Sequence, residues 1–299
     1  MKPGDVAAYL FLAVAWGLSF LVLLRVVEAF GWAGAVTLRC LVAAATLLAV
    51  AAATRRRLDF RAGWRPFAVV GATTVAGQLV GLSYGTPLVG TATAAILVAT
   101  IPLFSMAIGQ LWGVERITAR GACGLLLGVA GVVLLVGFPA VPVTAAFVLG
   151  CACVLLASLC AAFGSVYASR RLKRAGSWEV TAGSFLAGGL VTLPLLLAVP
   201  LPGPPRPIDY AYLLVLGGGM SALTYVLYFR LVAAIGATRA ISVEFAVTLV
   251  AVLVGAAFLG ERLSTAQVVG AAVVVGGCAL VLGLVPARPL GRRSTAASR

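Results

Sequence analysis

Residues 90–137 open Gly90-Thr91-Ala92-Thr93-Ala94-Ala95-Ile96, pass Pro102, and run through Glu115-Arg116-Ile117-Thr118 to Gly124, Gly131 and Gly137. Residues 236–283 repeat this pattern 146 places later without a gap. Gly236 answers Gly90, Glu261-Arg262-Leu263-Ser264 answers the Glu-Arg-Ile-Thr run, and Gly270, Gly277 and Gly283 answer the later glycines. Nearly the same shift sets Trp16-Gly17 against Phe163-Gly164. A repeat this long divides the chain into two units, 1–140 and 141–299.

Both units are too apolar for water. Of 299 residues, 62% are hydrophobic and 10% charged, against roughly a quarter charged in a soluble protein. A bilayer core ~30 Å thick needs roughly 20 apolar residues per helix. Runs of that kind lie at 5–24, 34–53, 66–84, 92–112, 120–137, 146–169, 178–199, 210–230, 239–258 and 266–285. The expected fold is therefore all-α, a polytopic membrane protein of ten transmembrane helices, five per unit. The split between the third and fourth runs is placed at Gly85-Thr86-Pro87. Lys2 ahead of an apolar run imitates a signal peptide, but Val6–Leu24 is longer than a signal core and no small-residue cleavage site follows. Because five is odd, the second unit must enter the membrane from the opposite side, which makes the repeats inverted. Inverted repeats are an architecture of secondary transporters, with the substrate site near the midplane where the halves meet. The competing reading of the duplication is a scaffold or a membrane enzyme.

The 22 Lys and Arg outnumber the 8 Asp and Glu, a net charge of +14. Their positions explain the excess better than a nucleic-acid partner does. With the N-terminus inside, Lys2, Arg55–Arg57, Arg61, Arg65, Arg116, Arg120, Arg170, Arg171, Lys173, Arg174, Arg230, Arg239 and the four C-terminal arginines all fall on the inner side. Only Arg25, Arg206 and Arg262 fall outside, and Arg39 lies within a span. The positive-inside bias places both termini in the cytoplasm. No histidine occurs, which removes His ligands and His general bases. The six cysteines all lie in spans and form no CxxC pair, so neither metal site nor disulfide is expected. No G-x-x-x-x-G-K-[S/T] loop is present, and no cofactor is implied.

The two copies together resemble the drug/metabolite transporter superfamily in its ten-helix EamA branch. Trp16-Gly17-Leu18-Ser19-Phe20, Leu38-Arg39 and Tyr225-x-x-Tyr228-Phe229-Arg230 add to the likeness, which covers the whole chain. The resemblance implies a bacterial inner-membrane carrier of small metabolites, often amino acids and often exported, with a central cavity between the halves. The chain departs from the family at Thr248, where proline is usual and where the first copy has Pro102. Pro102 is expected to kink its helix, and the corresponding second-half helix to be straighter.

Ionisable residues inside a membrane cost at least ~3 kcal/mol, so they mark function or a buried pair. Arg39 and Glu244 are the two candidates. Each sits about five residues, ~8 Å, inside its span but from opposite faces, some 15 Å apart in a ~30 Å core. No direct pair between them is expected. Glu244 is expected to meet Arg230 or Arg239, and Arg39 to snorkel outward; the functional alternatives are a coupling carboxylate and a substrate-carboxylate binder. Trp16, Ser19, Gln78, Phe163, Tyr225 and Ser242 are the polar and aromatic cavity candidates. Packing or lipid contact competes for each. Glu115 and Glu261 read as helix-end caps or ion pairs. Pro102 and the run Gly217-Gly218-Gly219 are candidate hinges. Trp32, Trp64, Trp112 and Trp178 read as interfacial anchors, and Gly77-x-x-x-Gly81 and Gly124-x-x-x-Gly128 as close helix contacts within one chain. Three functions compete: a secondary exporter of amino acids or other small solutes, an intramembrane enzyme lacking evident catalytic groups, and a channel or non-transporting subunit. The expected partners are a small-molecule substrate and lipid.

Overall fold

The structure is a computed structural model that describes residues 2–61, 63–89, 91–116, 118–136, 144–259 and 264–284. Gly90, Gly137, residues 260–263 and the basic C-terminal tail lie outside these.

The described chain is all helix and connection. Helix runs over Pro3–Ala53, ~76 Å of rod at 1.5 Å per residue, more than twice a bilayer core. It therefore folds back, at Gly31, whose φ of 67° and ψ of 171° are open to glycine alone. The two arms are α1 (3–30) and α2 (32–53). The loop expected over 25–33 is thus reduced to one residue, because Arg25 and Glu28 pair along α1 instead of breaking it. Next come α3 (Trp64–Val89), α4 (Thr91–Val98), α5 (Ile101–Leu111) and α6 (Ala119–Val136). The second unit supplies α7 (Ala145–Arg171), α8 (Ser177–Ala198), α9 (Pro207–Ile235), α10 (Ala237–Ile241), α11 (Val243–Leu259) and α12 (Thr265–Leu282).

Read as rods, α4 with α5 and α10 with α11 are broken single passes, giving about ten helices. Eight helices among the described residues are long and apolar enough to cross a membrane. The split expected at Gly85–Pro87 is corrected: α3 continues to Val89. Pro87 falls in its last turn, and the helix ends two residues later.

Three features match between the units. A π-helical stretch interrupts α3 at Gly71–Gly77 and α9 at Val215–Leu223, the same place in the repeat. Ser221 fits the wider turn, its hydroxyl donating to the Leu216 carbonyl five residues back at 2.7 Å. The break before α5 has a counterpart before α11. The helices α6 and α12 pack through matching glycines. A Cβ at Gly124 would stand 2.9 Å from the Gly277 carbonyl, and one at Gly131 3.0 Å from that of Gly270. Gly124 pairs with the later residue and Gly131 with the earlier, so the two equivalent helices cross antiparallel. Helix α3 likewise presses Gly81 and Gly85 on the Cys153 and Gly150 carbonyls of α7. These contacts fit two pseudo-symmetric repeats.

Apolar side chains cover the outside, with Leu197 92% exposed where lipid would lie. The main buried cluster joins both units through Leu12, Phe185, Tyr225, Tyr228, Leu231 and Val243. The basic loops gather at one end, here the basic end. There Arg56 stands 4.8 Å over the Trp178 ring and Arg170 5.7 Å over that of Trp112. All six cysteines are free.

Candidate functional site

Four rings meet in the interior. Trp16 of α1 donates its indole N–H to Thr224 Oγ1 at 2.8 Å, and its ring lies 5.3 Å from Tyr225 and 5.6 Å from Tyr228. Phe185 of α8 stands edge-on to Tyr225 at 4.9 Å. The Tyr225 and Tyr228 spacing of three residues puts both on one face of α9. The Tyr228 hydroxyl lies 2.7 Å from Ser165 Oγ, which donates onward to the Ala161 carbonyl. A second hydroxyl chain runs below. Tyr9 OH lies 3.1 Å from Ser242 Oγ and 3.5 Å from Cys278 Sγ. Ser242 itself sits at the break between α10 and α11 and donates to the Arg239 carbonyl.

Charge flanks this aromatic box. Arg39 is 7% exposed, and its Nε donates to Ser221 Oγ at 2.6 Å. The expectation that it snorkels outward is therefore corrected: the π-turn of α9 brings a hydroxyl against α2, and the guanidinium turns to it. Glu244 is the second residue of α11, two places past the break at Ser242. Among the described residues no ion pair joins Glu244 to Arg230, Arg239 or Arg39. Arg230 and Arg239 are exposed, and an arginine in water gains little by following a carboxylate into the interior.

The other candidates fall elsewhere. Ser19 is buried and donates to the Trp16 carbonyl, which ties it to its own helix. Gln78 is 8% exposed and directly follows the π-turn of α3, as Thr224 follows that of α9. Phe163 is not part of the box: it packs edge-on to Trp112 at 5.2 Å and stacks on Tyr167 at 6.1 Å. It lines a cavity of ≈ 360 Å³ with Thr73, Ile108 and Cys160. Pro102 is the second residue of α5, just past the break. Gly217 and Gly218 face Val42 and Thr46 of α2, while Gly219 faces open space.

Sequence reasoning passed over Tyr9, Ser165, Phe185, Ser221 and Thr224. The i, i+3 tyrosines were a signal for Tyr228; small hydroxyl residues in an apolar helix gave none. It also passed over Glu179, 6% exposed at the start of α8. A cavity of ≈ 560 Å³ lies at the basic end and not at the box. Glu115, Ser169, Lys173, Phe229, Arg230 and Gly236 are among its walls. The box itself is packed shut, its rings in mutual contact, so cavity size and chemistry point to different places. The chemistry carries more weight, because a buried arginine in an apolar interior is costly without a use. Among the described residues, no His, Cys, Asp and Glu cluster is arranged to hold a metal ion.

Comparison with known proteins agrees with this architecture. Residues 3–137 and 148–283 match the EamA-like transporter family, one copy per unit. The chain is 29% identical over 289 residues to the "Probable terminal-alkyne amino-acid exporter" of Streptantibioticus cattleyicolor, covering 95% of this chain and 94% of that one. It is 29% identical over 210 residues to the "Uncharacterized inner membrane transporter YedA" of Escherichia coli strain K12. That match covers 66% of this chain and spans 64% of YedA's length, less than two thirds of it. A solved crystal structure at 20% identity superposes with a TM-score of 0.78 over 95% of this chain and 99% of that one, a likeness of fold. The chain belongs to the EamA-like transporter family and is a polytopic membrane protein.

Proposed function

We propose that the protein is an exporter of amino acids, aromatic and apolar ones included, in a bacterial inner membrane. It works by alternating access between two inverted five-helix repeats, 1–140 and 141–299, with both termini cytoplasmic and the monomer as the working unit. The antiparallel crossing of α6 and α12 supports inversion, since the two-fold relating antiparallel equivalents lies across the helices. The basic loops at one end support the orientation. Glycines buried against helices of the same chain support the monomer.

The observation that carries the substrate class is the aromatic box between Arg39 and Glu244. A carboxylate fits the guanidinium side, an ammonium the Glu244 side, and an apolar or aromatic side chain the rings of Trp16, Tyr225, Tyr228 and Phe185. The two charges need not hold one substrate molecule at the same moment. Pro102 and the Gly217–Gly219 turn are the places where the helices bend. The amino-acid exporter among the relatives supports the same class.

The test is counterflow in proteoliposomes of the purified full chain, with a panel of amino acids led by phenylalanine, tryptophan and leucine. Saturable exchange of one of them is expected. Absence of saturable exchange for every amino acid tried, from protein that remains folded, would overturn the reading.

A further inference from the structure

Glu115 holds the two units together at the basic end. Helix α5 closes at Gly113, whose φ of 62° turns the chain and lets Val114 N–H return to the Gly109 carbonyl at 2.9 Å. This turn delivers Glu115, from the first unit, to the segment that joins α9 to α10 in the second. Its Oε1 accepts the backbone N–H of Ala237, and its two oxygens accept that of Thr238 at 3.3 and 3.2 Å. Gly236 makes the approach possible. Its φ is 89°, and a Cβ there would stand 2.6 Å from Glu115 Oε1. One residue on, Thr238 Oγ1 lies 3.0 Å from Ser105 Oγ of α5, both buried. Two polar contacts from one unit thus grip a single short segment of the other, beside the ≈ 560 Å³ cavity whose walls include Glu115 and Gly236.

At the opposite end the units meet differently. Leu201 and Pro202 lie against Gly34 and Gly31, at 3.2 Å and 3.4 Å from where a Cβ would stand. That contact is apolar, and farther into the bundle Thr37 Oγ1 donates to the Thr192 carbonyl between the same units at 3.1 Å. A carrier whose halves rock must break its contacts at one end as it makes them at the other. The end fastened by directional hydrogen bonds sets which access state is favoured.

We propose that Glu115 is a conformational latch: its bonds to Ala237 and Thr238 hold the basic end closed, and their release opens that end during each transport cycle. The proposal rests on the alternating-access reading above but not on the identity of the substrate.

The test is hydrogen–deuterium exchange of the full chain in lipid nanodiscs, wild type against Glu115→Ala. With the latch gone, backbone amides of 113–119 and 236–242 are expected to exchange several-fold faster, while those of 25–33 and 200–209 slow. The opposite sign at the far end is the decisive readout, because a residue that merely caps a helix deprotects its own surroundings and leaves the far end unchanged. Gly236→Ala reaches the same latch from the other unit, by forcing Glu115 aside, and is expected to give the same two-ended pattern. Glu115→Gln keeps one acceptor oxygen without the charge and is expected to shift exchange in the same sense by less; it serves if Glu115→Ala does not fold. A purely local change in the variants that fold overturns the latch, whether or not amino acids are carried. A reciprocal change in protein that carries no amino acid leaves the latch standing and removes the substrate reading alone.

Discussion

Trp16 and Phe163 hold the same place in the two repeats, and the fold surrounds them differently. Trp16 is bonded to Thr224 and faces two tyrosines across the boundary between the units. Phe163 faces Trp112 and Tyr167 at the edge of a small cavity. The glycines beside them differ in the same way. A Cβ at Gly17 would meet Val250 of α11, whereas one at Gly164 would meet Thr73 and Thr74 of the α3 π-turn. The kinks differ too. The first unit breaks its rod at residues 99–100, immediately before Pro102. The second breaks earlier, at Ser242, and α11 then runs unbroken through Thr248, whose hydroxyl donates to the Glu244 carbonyl at 3.0 Å. Duplication supplied one backbone plan, and the side chains gave its two copies different surroundings.

The largest effect expected from erasing this difference is at position 248. Thr248→Pro gives the second unit the first unit's proline but places it inside an unbroken helix, where it removes a backbone hydrogen bond and crowds the Glu244 carbonyl. The cost is about 3 kcal/mol, read as a fall in melting temperature of the detergent-purified protein. A variant that melts with the wild type would mean α11 is already bent there, and the asymmetry would vanish.

Next is the pair of aromatic positions. Trp16→Ala removes a ring and a hydrogen bond from the box and is expected to cut the initial rate of phenylalanine flux by 10- to 100-fold, about 1.4–2.7 kcal/mol. Phe163→Ala is expected to stay within about threefold, less than 1 kcal/mol. Equal losses would show that the cavity beside Phe163 is a binding wall as well. Arg39→Gln is expected to lose about tenfold in flux, or about 1.4 kcal/mol, while melting at or above the wild-type temperature. A buried guanidinium whose partner among the described residues is the Ser221 hydroxyl contributes little to stability, and removing it relieves desolvation. A large fall in melting temperature would instead make Arg39 a structural residue.

Much of this was legible in the residues. The gapless repeat and the lengths of the apolar runs located the helices to within a few residues, because membrane thickness leaves a helix little freedom in length. Pro102 announced the break in the first unit. What stayed hidden was rotation. Helices apolar on every side carry no periodicity to say which face turns inward, so Phe163 was grouped with Trp16, and Arg39 was sent outward. The π-turns were hidden as well. They rotate the rest of α9 so that Ser221 meets Arg39 and Thr224 meets Trp16, and no residue type demands one. Glu115 showed its repeat in the sequence but not its reach into the opposite unit.

The smallest effect separates coupling from support. Glu244 stands at the start of α11, four residues before Thr248, where the first unit has an apolar residue, Val98. With no histidine in the chain, a pH slope of transport near neutrality has few sources, and Glu244, two residues past the break at Ser242, is a candidate. Glu244→Gln keeps shape and hydrogen-bonding capacity but cannot exchange a proton. If the carboxyl takes up and releases a proton in the cycle, flux driven by an imposed pH gradient loses its dependence on that gradient, while exchange of amino acid for amino acid at fixed pH continues within a few-fold of wild type. Glu179→Gln, at the start of α8, is the control and is expected to keep the wild-type slope. An unchanged slope in Glu244→Gln would make the carboxylate a substrate-ammonium partner or a helix-end group, and the second unit would then bind without coupling.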